Sequence, residues 1–206
     1  QNPGLGRSYN AIEHRATLRM SLEKYWWGDN RSLISLFAHY NSGRPYAYAF
    51  GFESGDVFGD EENFRHLLYV PTGPDDPGVI FGPDFETDAF FAWVDAEGLA
   101  RGQIVEKYGA TAPSWLSFDL RLEQEFPAFR KDHKFAGFIV IKNFCNLLNS
   151  EWCVLERSVF NTVNPVDLDY NSDTGQYIFE EYNPVRLTRY TNESLYEIRV
   201  GVTYRF

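Results

Sequence analysis

The chain has 206 residues, of which 17% are aromatic, and a formal net charge of -10. Such aromatic richness excludes a disordered tail, and the excess of acid over base excludes a basic nucleic-acid-binding domain. No apolar run approaches the roughly 18 residues of a spanning helix, whereas a membrane β-barrel stays open because its strands carry only alternating hydrophobicity.

Five segments are predicted as strands, about 11–27, 31–50, 115–126, 134–145 and 194–206. In the first, Ala16, Leu18, Met20 and Leu22 alternate with Arg15, Thr17, Arg19, Ser21 and Glu23, which places the two sets on opposite faces. A turn at Gly28-Asp29-Asn30 leads to the second, where Ile34, Leu36, Ala38 and Tyr40 share a face. The third sets Leu116, Phe118, Leu120 and Leu122 against Ser117, Asp119, Arg121 and Glu123. The fourth is more uniformly apolar. The fifth sets Tyr196, Ile198, Val200, Val202, Tyr204 and Phe206 against Glu197, Arg199, Gly201, Thr203 and Arg205.

Periodicity alone leaves two architectures: a soluble or surface-exposed sandwich that binds carbohydrate or protein, or the wall of a transmembrane barrel. Three features favour the wall. The last strand is long enough to cross a bilayer at a tilt. The aromatics Trp26, Trp27, Tyr40, Trp115, Phe126, Tyr204 and Phe206 sit at strand ends, as interfacial girdles do. Short connections alternate with long ones, 51–114 and 158–192, the asymmetry of outer-membrane barrels. The charged face, including Arg15, Arg19, Asp119, Arg121, Glu123, Glu197 and Arg199, is then expected to line the lumen.

From Gly51 to Ala100 there are twelve acidic residues and one basic residue, Arg65. Asp56, Asp60, Glu61 and Glu62 are weak Ca²⁺ candidates, since they lack alternating DxDxDG spacing; a hydrated external loop is the preferred reading. Residues 88–99 read as a short helix capped by Asp88, with Phe90, Phe91 and Val94 on one face. Phe90, Phe91 and Trp93 are expected to pack that helix onto its neighbours rather than to hold a ligand. The turn Asn171–Gly175 is expected to carry a small hairpin.

If 145–153 folds back as a tight hairpin, Cys145 and Cys153 face each other and a cross-strand disulfide is within reach; two free thiols along one strand is the other reading. His14, His39, His66 and His133 are widely separated, and no HExxH, GxSxG, P-loop or GxGxxG is present. No catalytic residues, enzyme activity or cofactor are expected.

The final eight residues, Arg199-Val200-Gly201-Val202-Thr203-Tyr204-Arg205-Phe206, resemble the C-terminal assembly signal of Gram-negative outer-membrane barrels, with Arg199, Gly201, Tyr204 and Phe206 at its marked positions. Ser42-Gly43-Arg44-Pro45-Tyr46, His66 to Gly73, and Asn143 to Asn149 followed by Trp152 resemble the barrel end of TonB-dependent receptors, in particular the Oar-like group with a carboxypeptidase-regulatory-like domain. The resemblance covers essentially the whole chain. It implies an all-β fold: about the last five strands of a 22-stranded antiparallel barrel with long extracellular loops, one carrying a short helix. The plug domain and earlier strands are expected to lie outside these residues, as a truncation or a split subunit. The implied activity is TonB-dependent ligand binding and uptake in the outer membrane, with the C-terminus periplasmic. The implied partners are outer-membrane lipid and lipopolysaccharide, the remaining barrel and plug, TonB through the missing N-terminal part, and the barrel-assembly machinery. No nucleic acid is expected.

Overall fold

The computed structural model describes residues 6–51, 66–130 and 132–206. In chain order the strands are β1 (Arg15–Trp27), β2 (Asn30–Asn41), β3 (Pro45–Gly51), β4 (Tyr69–Val70), β5 (Val79–Phe81), β6 (Gln103–Ile104), β7 (Ala110–Thr111), β8 (Trp115–Pro127), β9 (Lys134–Lys142), β10 (Glu156–Arg157), β11 (Thr162–Asn171), β12 (Gln176–Tyr182), β13 (Thr188–Arg189) and β14 (Glu197–Arg205). The helices are α1 (Thr87–Ala96), α2 (Phe144–Leu148) and α3 (Thr191–Ser194). No helix among the described residues is long and apolar enough to cross a membrane. The chain divides into two compact units.

One unit is built on a single antiparallel sheet in the order β1-β2-β8-β9-β14. Its strands are long, 13 residues in β1 and β8 and 12 in β2, about twice the usual strand of a globular protein. Register carries the alternation of each strand across the sheet. Leu22 faces Ile34, Ile34 faces Leu122, Leu122 faces Ile139, and Ile139 faces Val200. The next row is equally apolar: Met20, Leu36, Leu120, Ile141 and Ile198. A one-residue slip in any pair would exchange the faces of that strand, so these matched rows fix the pairing. The connection from β1 to β2 is tight, with Gly28 at φ 60°, a left-handed position that glycine occupies without strain.

The other unit joins β3 with the two segments expected as separate external loops. Its sheet runs β5-β12-β11-β3-β7, with β11 parallel to β3, β12 parallel to β5, and the remaining pairs antiparallel. The hairpin expected around 171–175 is present as β11 and β12, turning at Gly175 with φ 75°. The segments fold together because neither could bury its aromatics alone. Phe90 of α1 is fully buried, ringed by Phe85, Phe91, Trp93, Phe179 and Tyr182. Phe50, Leu68, Val70, Val94, Val166 and Leu168 complete a dry core.

Several boundaries differ from expectation. The expected strand 31–50 is two strands in two sheets. β2 stops at Asn41, and β3 opens at Pro45, whose missing N–H and fixed φ interrupt a ladder. Residues 11–14 precede β1 rather than belonging to it, and the expected strand 134–145 ends at Lys142, where Asn143 turns left-handed at φ 47° and α2 follows. At the fifth strand, α3 occupies Thr191–Ser194 and β14 begins at Glu197.

The expected helix 88–99 spans Thr87–Ala96 and buries Phe90, Phe91 and Val94. Asp88 does not cap it: the N-cap position is Glu86, with no side-chain cap bond, and Asp88 lies in the first turn, where its charge suits the helix dipole. The helix ends earlier because Gly98, at φ 66°, donates to Asp95 O while Leu99 N donates to Val94 O, closing the last carbonyls.

Candidate functional site, a sheet with inverted faces

The five-stranded sheet presents two chemically distinct faces, and along β8 the ionic one is the more deeply covered. Glu123 and Glu125 are only 8% and 5% exposed. On the opposite face of the same sheet Leu122 is 38%, Phe126 52% and Val200 74% exposed. In a water-soluble sheet the apolar alternates are the ones that get covered.

Long cationic side chains cover the two carboxylates. Arg31 lies 2.6 Å from Glu123 and 3.6 Å from Glu125, and Arg121 lies 2.5 Å from Glu123. Arg205 approaches Glu125 at 2.8 Å and Glu123 at 3.8 Å, and Lys134 approaches Glu125 at 3.2 Å. Four cations from β2, β8, β9 and β14 thus converge on two anions of β8. A buried carboxylate persists only when it is paired in this way. Beside them the Phe138 ring lies over Gly201, where an added Cβ would sit 2.4 Å from the ring, and the Arg121 guanidinium lies 4.7 Å above that ring. The alternation places Arg205 on the polar face of the last strand without giving it a partner, while Arg31, Lys134 and Glu125 are not singled out by sequence. Glu125 shares Glu123's parity, which is a local signal; its partners come from three other strands and need the register to be found.

The other residues expected on the charged face lie there in register. Arg15 donates to Asn41 at 2.9 Å, and Glu197 lies 3.4 Å from Lys142 and bonds Arg199. Asp119 instead accepts the Asn143 backbone N–H at 2.9 Å, tying β8 to the segment after β9. Of the remaining C-terminal positions, the Tyr204 hydroxyl meets His133 Nδ1 at 2.5 Å, its ring packs on Phe135 at 4.9 Å, and Phe206 is exposed.

Both ends of the sheet carry aromatics. Trp26, Trp27, Phe126, Phe135 and Tyr204 mark the end with the short turns, and Tyr40, Trp115 and Tyr196 mark the other, the rim. From Leu116 to Phe126 the apolar face extends about 33 Å along β8, or about 25 Å of height at a strand tilt near 40°.

At the rim Cys145 and Cys153 form a disulfide with Cα atoms 6.1 Å apart. It spans the helix α2 and a following turn, not the two strands of a hairpin. The buried Asn143 amide donates to Cys153 O at 3.1 Å and to Ser194 O at 2.6 Å, and Trp115 Nε1 donates to Cys153 O at 3.1 Å. A depression of about 650 Å³ beside it is lined by Leu116, Phe118, Trp152, Val154, Glu156 and Arg189. Arg189 bonds Glu151 at 2.8 Å; that contact holds Arg189 above its ordinary pKa and Glu151 below.

In the other unit the nearly buried Asp76 accepts from Thr72 N at 2.7 Å, Gly78 N at 2.8 Å, and the Thr72 and Tyr69 hydroxyls at 3.0 Å each. Burial alone would raise its pKa; these four donors outweigh it and hold the carboxyl below the usual range. Phe90, Phe91 and Trp93 face the core cluster, in keeping with a packing role. Asp56, Asp60, Glu61 and Glu62 lie outside the described residues. Among the described residues no cluster of three or more His, Cys, Asp or Glu is arranged to hold a metal.

No protein-family model matches this chain, and no curated protein or solved structure matches it either.

Proposed function

We propose that the chain is the C-terminal wall segment of a TonB-dependent outer-membrane receptor of the Oar-like kind, contributing to gated uptake of a ligand. One observation carries this reading: the inverted centre of the sheet, where Glu123 and Glu125 are covered while Leu22, Ile34, Leu122, Ile139 and Val200 stay exposed. Lipid is the solvent that rewards that inversion. Supporting it are strands of spanning length, aromatics at both ends, and edges at β1 and β14 that have no partner strand among the described residues and invite further strands. In this reading the sheet is the last part of a 22-stranded barrel, the charged face looks into the lumen, and the turns at Gly28 and 127–133 are periplasmic. The loops 51–114 and 158–192 face outside the cell. Arg199, Gly201, Tyr204 and Phe206 serve recognition by the assembly machinery. Lipid and lipopolysaccharide meet the outer face, the plug meets the inner one, and TonB acts through the N-terminal region. The work is binding and passage, not bond chemistry.

The test is to fractionate cells producing the full-length protein and compare boiled and unboiled samples on a gel. Recovery in the outer-membrane fraction, detergent extraction and heat-modifiable migration are expected. A water-soluble, heat-insensitive monomer would overturn the reading in favour of a sandwich.

A further inference from the structure

The depression of about 650 Å³ at the rim combines apolar walls with an uneven set of charges. Leu116 and Phe118 of β8 line it together with Trp152, Glu151, Glu156 and Arg189, all within the unit built on the five-stranded sheet. Arg189 bonds both carboxylate oxygens of Glu151, at 2.8 and 3.4 Å. Its distance to Glu156 is 3.6 Å, longer than a hydrogen bond. One arginine thus serves two glutamates and is committed to the first. Arg157 does not make up the difference: alternation along β10 turns it away from Glu156, and its guanidinium lies 3.9 Å from the centre of the Tyr190 ring. The lining therefore carries one surplus negative charge, on Glu156.

The segment that presents Trp152 is held from several sides. The Cys145–Cys153 bridge closes it. The buried Asn146 amide donates to Ser150 O at 2.9 Å and to Trp152 O at 3.1 Å, and Asn149 Oδ1 accepts the Glu151 N–H at 2.9 Å. Leu155 N donates to Ser194 Oγ at 3.0 Å, and Leu155 O accepts Tyr190 N at 2.9 Å. Yet the Trp152 side chain is left out: it is 54% exposed, and its indole N–H makes no hydrogen bond among the described residues. A fixed aromatic ring beside an unmatched carboxylate is a preorganised receptor for a cation, because little has to be ordered when the ligand arrives.

We propose that this depression binds an organic ammonium ion with an apolar body, of the arylalkyl amine class. The ammonium pairs with Glu156 and lies against the Trp152 ring, and the apolar body lies over Leu116 and Phe118. Charge complementarity selects the class: an anionic ligand meets the surplus carboxylate, and a neutral one leaves it without a counter-ion. The inference goes beyond the uptake reading, since none of these groups is assigned there to passage or to assembly.

The experiment titrates the full-length protein with phenethylamine at neutral pH by isothermal calorimetry, subtracting the heat of titration into protein-free detergent micelles. Phenylacetate and phenethyl alcohol serve as anionic and neutral probes of similar shape. The amine is expected to bind about tenfold tighter than either, the scale of one hydrogen bond between charged groups. Glu156→Gln is expected to lower amine affinity by about the same factor. Trp152→Ala is expected to lower it about threefold, the scale of an exposed cation–π contact, and Glu86→Gln in the other unit to leave it as it was. Equal affinity of the wild type for all three probes, or no amine binding by it, overturns the site without recourse to any variant. Equal amine affinity in wild type, Glu156→Gln and Trp152→Ala overturns it too. Heat-modifiable migration tests the uptake reading separately and stands or falls apart from these titrations.

Discussion

Substituting arginine at Ile139 tests the assignment of the two faces most directly. Ile139 lies in the second apolar row above the girdle formed by Phe126, Phe135 and Tyr204. Four residues along the strand is about 13 Å, or about 10 Å of height at a tilt near 40°, which is close to the middle of a ~25 Å apolar band. Arginine on the lipid side at that depth costs about 2–4 kcal/mol, equivalent to roughly 30- to 900-fold in the folded-to-unfolded ratio. Phe126→Arg, at girdle depth, should cost only about 0–1 kcal/mol. Were this face turned to water, both changes would stay within about 0.5 kcal/mol of wild type. The assay is urea unfolding of the full-length protein from lipid vesicles, followed by tryptophan fluorescence. The depth dependence is the diagnostic: equal stability of Ile139→Arg and Phe126→Arg would refute the claim that this face meets acyl chains.

In the second unit, Phe90→Ala should cost about 3–5 kcal/mol, because a fully buried ring with five aromatic neighbours leaves a cavity; limited proteolysis should then cut within 66–112 while the strands of the sheet β1-β2-β8-β9-β14 stay protected. Asp76 has a depressed folded pKa, so its contribution is complete above the unfolded value near 3.8 and is lost as pH falls through the lower folded value. Asp76→Asn should therefore be less stable than wild type at neutral pH, with the difference narrowing below about pH 4 in pH-dependent unfolding. Reducing the Cys145–Cys153 bridge, or Cys145→Ser, should loosen the rim by about 2–3 kcal/mol on chain-entropy grounds, read as faster amide exchange in 143–157 with unchanged protection in β8.

The strands of the five-stranded sheet were legible because the residues of all but the more uniformly apolar fourth alternate locally, and alternation needs no knowledge of neighbours. What escaped depended on distant partners. β11 carries Val166, Leu168 and Tyr170 alternating with Asp167 and Asp169, but Pro165 and the acidic residues gave it the look of a loop. Its place is decided by parallel pairing with β3, more than a hundred positions earlier. The end of β2 carried a usable sign, Ser42-Gly43-Arg44-Pro45, which the apolar run after it concealed. The carboxylate pair of β8 had a visible parity, while Arg31, Lys134 and Arg205 become its partners only once the strands are in register. The bridge at the rim was within reach of spacing alone, but its route through a helical turn was not, because Asn143 adopts a left-handed conformation that asparagine only occasionally takes.

The number of strands in the long antiparallel sheet has a consequence of its own. With every neighbour antiparallel, the first and last of five run in the same direction. Identical copies arranged around an axis would therefore meet through like-directed edges, and no ring of them alternates up and down throughout. Any cylinder that keeps strict alternation must complete this sheet with an odd complement of foreign strands, running opposite to β1 and β14 where it joins them.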